Sequence, residues 1–164
     1  MRAGVRLAVD WGQARIGVAA CDPGGVLAYP VRTIAAGPGS MDELRALVAE
    51  YQPIELVLGL PRTLRGTDEI AARNVREVAG AVRSATGLPV RLVDERLTTA
   101  SAAKLLHAAG RTTRRQRGVI DQAAAVALLE VALEYERTTG RPAGEGVPER
   151  PEKGPEWRAG SHVT

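Results

Sequence analysis

The chain has 164 residues, of which 45% are hydrophobic, and its net charge is +3. This length fits one domain with a single core, and the mild basic excess permits a nucleic-acid partner without requiring one. No apolar run approaches the roughly 20 residues of a membrane span, no signal-peptide core is seen, and the single cysteine excludes an internal disulfide, so we expect a cytoplasmic protein.

The first part of the chain has the pattern of three antiparallel strands. Apolar residues alternate with others over residues 5–10 and 16–20, as in pleated strands, and Gly12 lies at the turn between them. A third strand is expected over residues 26–34. Pro30 predicts that this strand lies at a sheet edge or carries a bulge.

Helical and strand-like patterns alternate further along. Ser40 and Glu43 have the spacing of a capping box, which predicts the start of a helix. Residues 54–60 are nearly all apolar, as in a central strand that is covered on both faces. The other predicted elements are a helix over residues 68–86, a strand over 90–97, a short helix from Thr98 or Thr99 to Gly110, and a final helix over 119–137.

These elements predict one α/β domain over residues 1–139, with a five-stranded mixed sheet flanked by helices. We expect the first strand in the middle of the sheet, because the later parallel strands need a buried neighbour. Residues 140–164 are rich in glycine and proline and lack an apolar period, which predicts a disordered C-terminal tail.

Three carboxylates lie at positions where burial of the charged group would cost free energy and an apolar residue would not. Asp10 ends the first strand, Glu95 ends the last strand, and Asp121 lies near the start of the final helix. The carboxyl ends of adjacent strands form one crevice, so we expect the three to converge there. Converging carboxylates repel one another unless a divalent cation neutralises them, and oxygen ligands suit Mg²⁺ or Mn²⁺. Two such ions about 4 Å apart can activate water and stabilise the leaving oxygen of a phosphodiester.

Each carboxylate also has a structural interpretation. Asp10 would accept hydrogen bonds from turn amides, and Glu95 would be an edge charge paired with Arg96. Asp121 would be a first-turn acid favoured by the helix dipole. The alternative, a core-facing Asp121, depends on an apolar stripe that the helical spacing predicts at Ala124, Ala125, Leu128, Ala132 and Tyr135.

Four motifs follow one another along the chain. They are Asp10-Trp11-Gly12 with Arg15-Ile16-Gly17, Gly59-Leu60-Pro61 with Gly66, Asp94-Glu95-Arg96-Leu97-Thr98-Thr99, and Ile120-Asp121 with Ala123-Ala124-Ala125. In order and spacing, over residues 5–137, they resemble the bacterial YqgF/RuvX family. The resemblance implies an RNase H-like fold and a nuclease that matures the 5′ end of precursor 16S rRNA in ribosome biogenesis. It also implies that Asp10, Glu95 and Asp121 are the catalytic, metal-binding residues, with Mg²⁺ or Mn²⁺ as cofactor.

Arginines in loops and at strand ends are the expected contacts to nucleic-acid phosphates. They are Arg15, Arg62, Arg65, Arg96, Arg111, Arg114, Arg115 and Arg117. The alternative is a solvated set of charges. Residues 62–65 are more basic than the family pattern, which leaves their contacts open. With so few aromatic residues, Trp11 is the one candidate for stacking on a base.

Several functions remain compatible with these residues. The first is a metal-dependent endonuclease on structured RNA, and the second is a four-way DNA junction resolvase, which should be a symmetric dimer. The third is an RNA-binding ribosome assembly factor with weak or no catalysis. An ATP-dependent phosphotransferase of the sugar-kinase type is disfavoured, because such proteins usually have two domains of this fold. The choice between RNA and DNA stays open, since both present the same phosphates to arginine.

Overall fold

The structure is a computed structural model that describes residues 1–61, 68–97 and 114–149. Its strands are β1 (Arg6–Trp11), β2 (Arg15–Cys21), β3 (Ala28–Ala35), β4 (Glu55–Leu60), β5 (Val90–Asp94) and β6 (Glu145–Gly146). Its helices are α1 (Ser40–Tyr51), α2 (Asp68–Thr86) and α3 (Arg114–Thr139), and a 3-10 turn covers Glu95–Leu97. The short helix predicted between Thr98 and Gly110 lies outside the described residues. In the ranges described, no helix is long and apolar enough to cross a membrane.

The strands form one mixed sheet in the order β3-β2-β1-β4-β5-β6. β1 pairs antiparallel with β2 and parallel with β4, so it lies inside the sheet as predicted. β3 is an edge strand, and its pairing with β2 shifts register beside Pro30, as that proline predicts. The mixed α/β fold is confirmed, with β6 as a sixth strand beyond the five that were expected.

Helices cover both faces of the sheet. Leu7 and Val9 of β1 belong to the core on the side of α1 and α2, whereas Ala8 packs in a second core with α3. Because side chains alternate along a strand, Asp10 lies on the same face as Ala8. The α3 face of the sheet is therefore the face that carries the acidic residue.

The start of α1 differs from the prediction. Ser40 is the first helical residue, and its hydroxyl donates to the Gly37 carbonyl at 2.8 Å. Gly39 occupies the N-cap position, and no side chain caps the helix there. The proposed capping box is therefore absent, although the helix begins where it was expected.

The buried face of α3 also differs from the predicted stripe. Ala125, Leu128 and Ala132 are buried as expected, but Tyr135 is 45% exposed and Glu136 only 3% exposed. Glu136 is tolerated in the core because two arginines bind its carboxylate. The predicted stripe is therefore wrong at Tyr135. A hydrophobicity pattern could not show the burial of Glu136, because its arginine partners are far away in the sequence.

The partners of Glu136 tie α3 to the beginning of β1. Arg6, itself 1% exposed, donates from Nη2 to Glu136 Oε2 at 2.5 Å. Arg2 donates to Glu136 Oε1 at 2.5 Å and to Glu55 Oε1 at 2.8 Å. Burial acts to raise the pKa of Glu136, but the two arginines outweigh it and lower that pKa. This network fixes the C-terminal half of α3 against the sheet.

Residues 140–149 pack against the sheet. The Ala143 carbonyl accepts a bond from Arg91 Nε at 2.5 Å, and the Val147 amide donates to the Val90 carbonyl at 2.8 Å. This corrects the predicted domain boundary at residue 139: the folded part continues at least to residue 149. Main-chain pairing needs no apolar period, which is why the composition did not show it. The rest of the predicted tail, residues 150–164, lies outside the described residues.

Candidate active site

Asp10 lies near the end of β1, just before a tight turn. The Gly12 amide donates to the Arg15 carbonyl at 3.0 Å, and a Cβ at Gly12 would lie 2.5 Å from that oxygen. The turn therefore needs glycine. Among the described residues, no amide hydrogen bond acts on the pKa of the Asp10 carboxylate. The interpretation of Asp10 as an acceptor for turn amides is thus not supported.

Gly17 brings α3 into contact with the sheet beside Asp10. The two residues are directly opposite each other in the antiparallel pair of β1 and β2, so they share a face. A Cβ at Gly17 would overlap the carbonyl group of Asp121. The helix backbone thus rests on the glycine, with Asp121 next to Asp10. Asp121 lies about two turns into α3, so it is not a first-turn acid.

Gly59 has the matching role on the other side of Asp10. It lies in β4, which pairs in parallel with β1, and it is opposite Val93 of β5. A Cβ at Gly59 would lie 3.0 Å from both Cγ and Oε1 of Glu95. The Glu95 side chain therefore lies across the glycine, on the face that Val93 shares with α3.

The charges of two of the predicted carboxylates act on the third. Burial, together with the negative charges of Glu95 and Asp121, raises the pKa of Asp10 from 3.8 to about 7. Asp121 Oδ2 accepts a bond from Arg15 Nε at 2.8 Å. Among the described side chains, Arg15 thus supplies a positive charge that partly compensates these acids.

The donor chemistry of this site fits a divalent cation. Within residues 1–61, 68–97 and 114–149, no three acidic, histidine or cysteine side chains are placed so that they could hold a metal ion as they stand. Carboxylate oxygens are nevertheless the ligands that Mg²⁺ and Mn²⁺ prefer. Gly17 and Gly59 let Asp121 and Glu95 approach from the two sides of Asp10, where a Cβ would push them away. Burial and the charges of these two acids raise the pKa of Asp10, and a cation would offset both effects.

Of the predicted phosphate-binding arginines, Arg15 is the one whose side chain is described. Arg62, Arg65 and Arg111 lie outside the described residues. For four others only the backbone is described: Arg96, Arg114, Arg115 and Arg117. Arg96 is in the 3-10 turn beside Glu95. The other three form the first turn of α3, whereas they were expected in a segment before the helix.

Gly17 and Gly59 are the site residues whose role the sequence analysis missed. A single glycine inside an apolar strand indicates close approach of another backbone or side chain, and both positions carry that signal. Gln122, next to Asp121, was missed as well. Its Nε2 donates to Thr33 Oγ1 at 2.9 Å, which ties this part of α3 to β3.

Known proteins are similar to this chain in sequence and in fold. The sequence model of the family RuvX, described as "Holliday junction resolvase", matches residues 4–135. A protein of Streptomyces coelicolor named "Putative pre-16S rRNA nuclease" is 55% identical over 150 residues, which cover 90% of each chain. One of Cutibacterium acnes with the same name is 54% identical over 135 residues, 82% of this chain and 84% of that protein.

Among solved structures, RuvC of T. thermophilus in complex with a Holliday junction substrate has a similar fold. The TM-score is 0.55 at 15% sequence identity, over 84% of this chain and 98% of RuvC. This likeness supports the expected RNase H-like architecture, and the sequence relatives support the expected enzyme class. The chain belongs to the RuvX family of nucleases, as its four motifs predict.

Proposed function

We propose that this chain is a metal-dependent endonuclease that hydrolyses phosphodiester bonds of structured nucleic acid and processes the 5′ end of precursor 16S rRNA. The convergence of Asp10, Glu95 and Asp121 on one face of the sheet carries the proposal. The names of the relatives support the choice of RNA substrate.

In this proposal Asp10, Glu95 and Asp121 hold Mg²⁺ or Mn²⁺. Such ions, when bound, activate water and stabilise the leaving oxygen of a phosphodiester. Because the pKa of Asp10 is raised to about 7, a cation that binds near neutral pH would displace the remaining proton and hold Asp10 as a carboxylate. Arg15 neutralises Asp121 before a cation binds, and it is close enough to the acids to contact a substrate phosphate afterwards.

The remaining arginines would grip the phosphate backbone around this site. The first turn of α3 contributes three of them, Arg114, Arg115 and Arg117. Changing these three to alanine should weaken RNA binding across sequences. It should also reduce the slope of log affinity against log salt by about one for each phosphate that is no longer bound. The control is the same triple change at exposed arginines elsewhere, Arg45, Arg73 and Arg141. A salt slope reduced equally in both variants would argue against a phosphate contact at α3.

Resolution of four-way DNA junctions is the second candidate, favoured by the description of the family. Purified protein should be incubated with precursor 16S rRNA and with a four-way junction, each with Mg²⁺ or Mn²⁺. Cleavage at the rRNA 5′ end supports our proposal. Paired symmetric cuts in the junction by a dimer would favour the resolvase instead. Tight RNA binding with no cleavage in either metal would favour a non-catalytic assembly factor.

A cytoplasmic location goes with this proposal. It is the compartment expected from the single cysteine and from the lack of an apolar span in the sequence.

A further inference from the structure

A cavity of about 460 Å³ lies beyond the end of β1, on the face of the sheet opposite the three acids. Trp11 and Gln13, from the turn after β1, line one side. Ala71, Asn74 and Val78, from α2, line another. We call it the Trp11 cavity. Its volume is within the usual range for a small-molecule site, and the function proposed above does not use it.

We propose that the Trp11 cavity binds one unpaired nucleobase of the nucleic-acid substrate, next to the bond that is cut. This inference rests on the proposed nuclease function and adds a preference at the level of the base. Asp10 and Trp11 are consecutive residues of a strand, so they point to opposite faces while their Cα atoms are about 3.8 Å apart. The acidic site and the cavity therefore adjoin the same end of β1, and in this proposal a nucleic-acid strand that crosses this end places a phosphate at Asp10 and a neighbouring base in the cavity.

The lining has the chemistry that binds a base. The Trp11 indole offers an aromatic surface for stacking, and Ala71 and Val78 are apolar. The side-chain amides of Gln13 and Asn74 each carry donors and an acceptor, which match the polar edge of a base. No acidic or basic side chain is among the described residues of this lining. The described part of the lining therefore suits a neutral base.

The position of the cavity also limits the substrate. Asp10 and the cavity lie on opposite faces of the sheet at the end of β1, so a base that enters the cavity beside a phosphate at Asp10 has to leave the stack of its neighbours. A base in a continuous duplex cannot do this without unpairing, whereas a single-stranded residue can. The cavity therefore favours RNA with an unpaired residue beside the cleaved bond.

The test uses the fluorescence of Trp11 in the full chain. The Trp157→Phe change leaves Trp11 as the only tryptophan, and Asp10→Asn prevents cleavage during the titration. Short single-stranded RNA should quench this fluorescence in a saturable manner. An RNA of the same length with an abasic residue at each position in turn should lose the quenching at one position. Adenosine monophosphate tests whether a free nucleotide is enough.

A second variant fills the cavity. Ala71→Leu should weaken RNA binding about tenfold, within the range for loss of one stacked base. Ala46→Leu, on the exposed side of α1, makes the same change in a helix away from the cavity and should bind RNA as the parent does. Thermal melts of both variants show whether each one folds.

The outcomes separate this inference from the nuclease proposal. The base site would be overturned if folded Ala71→Leu bound RNA as tightly as the parent and if RNA quenched Trp11 whichever position was abasic. The nuclease proposal would not be affected by this result. Quenching by the mononucleotide at the same concentration as RNA would also overturn it, because the site would then bind a free nucleotide. Failure of every RNA and DNA tested to bind would instead count against the proposed function.

Discussion

The backbone carbonyl of Asp121 lies against Gly17, at a distance that leaves no room for a Cβ. Gly17 is opposite Asp10 in the sheet, so this single contact sets how close Asp121 comes to Asp10. On the other side, Gly59 provides the space into which Glu95 reaches. The acidic site is thus built on two positions that have no side chain.

Replacing each glycine with alanine should have different effects. Gly17→Ala forces the rigid backbone of α3 away and should lower the free energy of unfolding by about 1–3 kcal/mol. At Gly59 the three described atoms nearest to an added Cβ all belong to the Glu95 side chain, which can move. Gly59→Ala should therefore change stability less and mainly weaken binding of Mn²⁺. Denaturant unfolding and calorimetric titration with Mn²⁺ measure the two effects.

Gly39→Ala is the control for added bulk, because a Cβ at Gly39 would meet no described atom within 4 Å. Since Gly39 is the N-cap of α1, this change should itself cost about 0.5–1 kcal/mol. If Gly17→Ala were as stable as Gly39→Ala and bound Mn²⁺ equally well, the contact with Asp121 would not shape the site.

Arg15 should compete with a divalent cation for Asp121. Arg15→Gln removes a positive charge 2.8 Å from that carboxylate, so Mn²⁺ affinity should rise several-fold while RNA affinity falls. Stability should change by less than about 1 kcal/mol, since both side chains are partly exposed. Arg45→Gln, on the exposed side of α1, should change neither affinity. Weaker Mn²⁺ binding by Arg15→Gln would mean that Arg15 holds Asp121 in place for the ion.

Stability should depend on pH through Asp10 when no divalent cation is present. With a pKa raised from 3.8 to about 7, the folded chain binds more protons than the unfolded chain in this interval. The free energy of unfolding therefore falls as pH rises from about 4 to about 7. Asparagine does not ionise, so the free energy of unfolding of Asp10→Asn should not fall in this way. The variant should be more stable than the wild type at pH 8, by up to about 4 kcal/mol.

The advantage of Asp10→Asn should shrink as the pH falls toward 4. Denaturant unfolding in a chelating buffer, at a series of pH values, measures this difference. An advantage that is the same at pH 4 and pH 8 would show that Asp10 has an ordinary pKa.

Much of this architecture follows from local sequence patterns. The alternation along β1 predicts the face on which Asp10 lies, and Pro30 predicts an irregular edge strand. The contact of Gly17 with α3 joins residues that are far apart in the sequence, so no local pattern contains it. The burial of Glu136 in place of Tyr135 depends on Arg6, whose pairing is likewise visible only after folding.

Residues 140–149 should contribute to stability. A chain that ends at residue 149 should keep the melting temperature of the full chain, whereas one that ends at residue 139 should melt several degrees lower. The shorter chain loses the main-chain pairing of β6 and the bonds from Arg91 to the carbonyls of Ala143 and Gly144. Equal melting temperatures for all three chains would show that residues 140–149 do not stabilise the fold, as expected of a disordered tail.

Cleavage by Asp10→Asn tests the central claim most directly. The change keeps the shape of the side chain and removes the charge that would bind a cation. Precursor 16S rRNA should be cleaved by the wild type in Mg²⁺ or Mn²⁺. It should be cut orders of magnitude more slowly by folded Asp10→Asn, because water activation and leaving-group stabilisation are lost together. RNA binding should survive, since a repulsive charge near the phosphate is gone. Asp42→Asn, on the exposed side of α1, should cleave as the wild type does. Undiminished cleavage per folded molecule of Asp10→Asn would contradict the assignment of the acidic site.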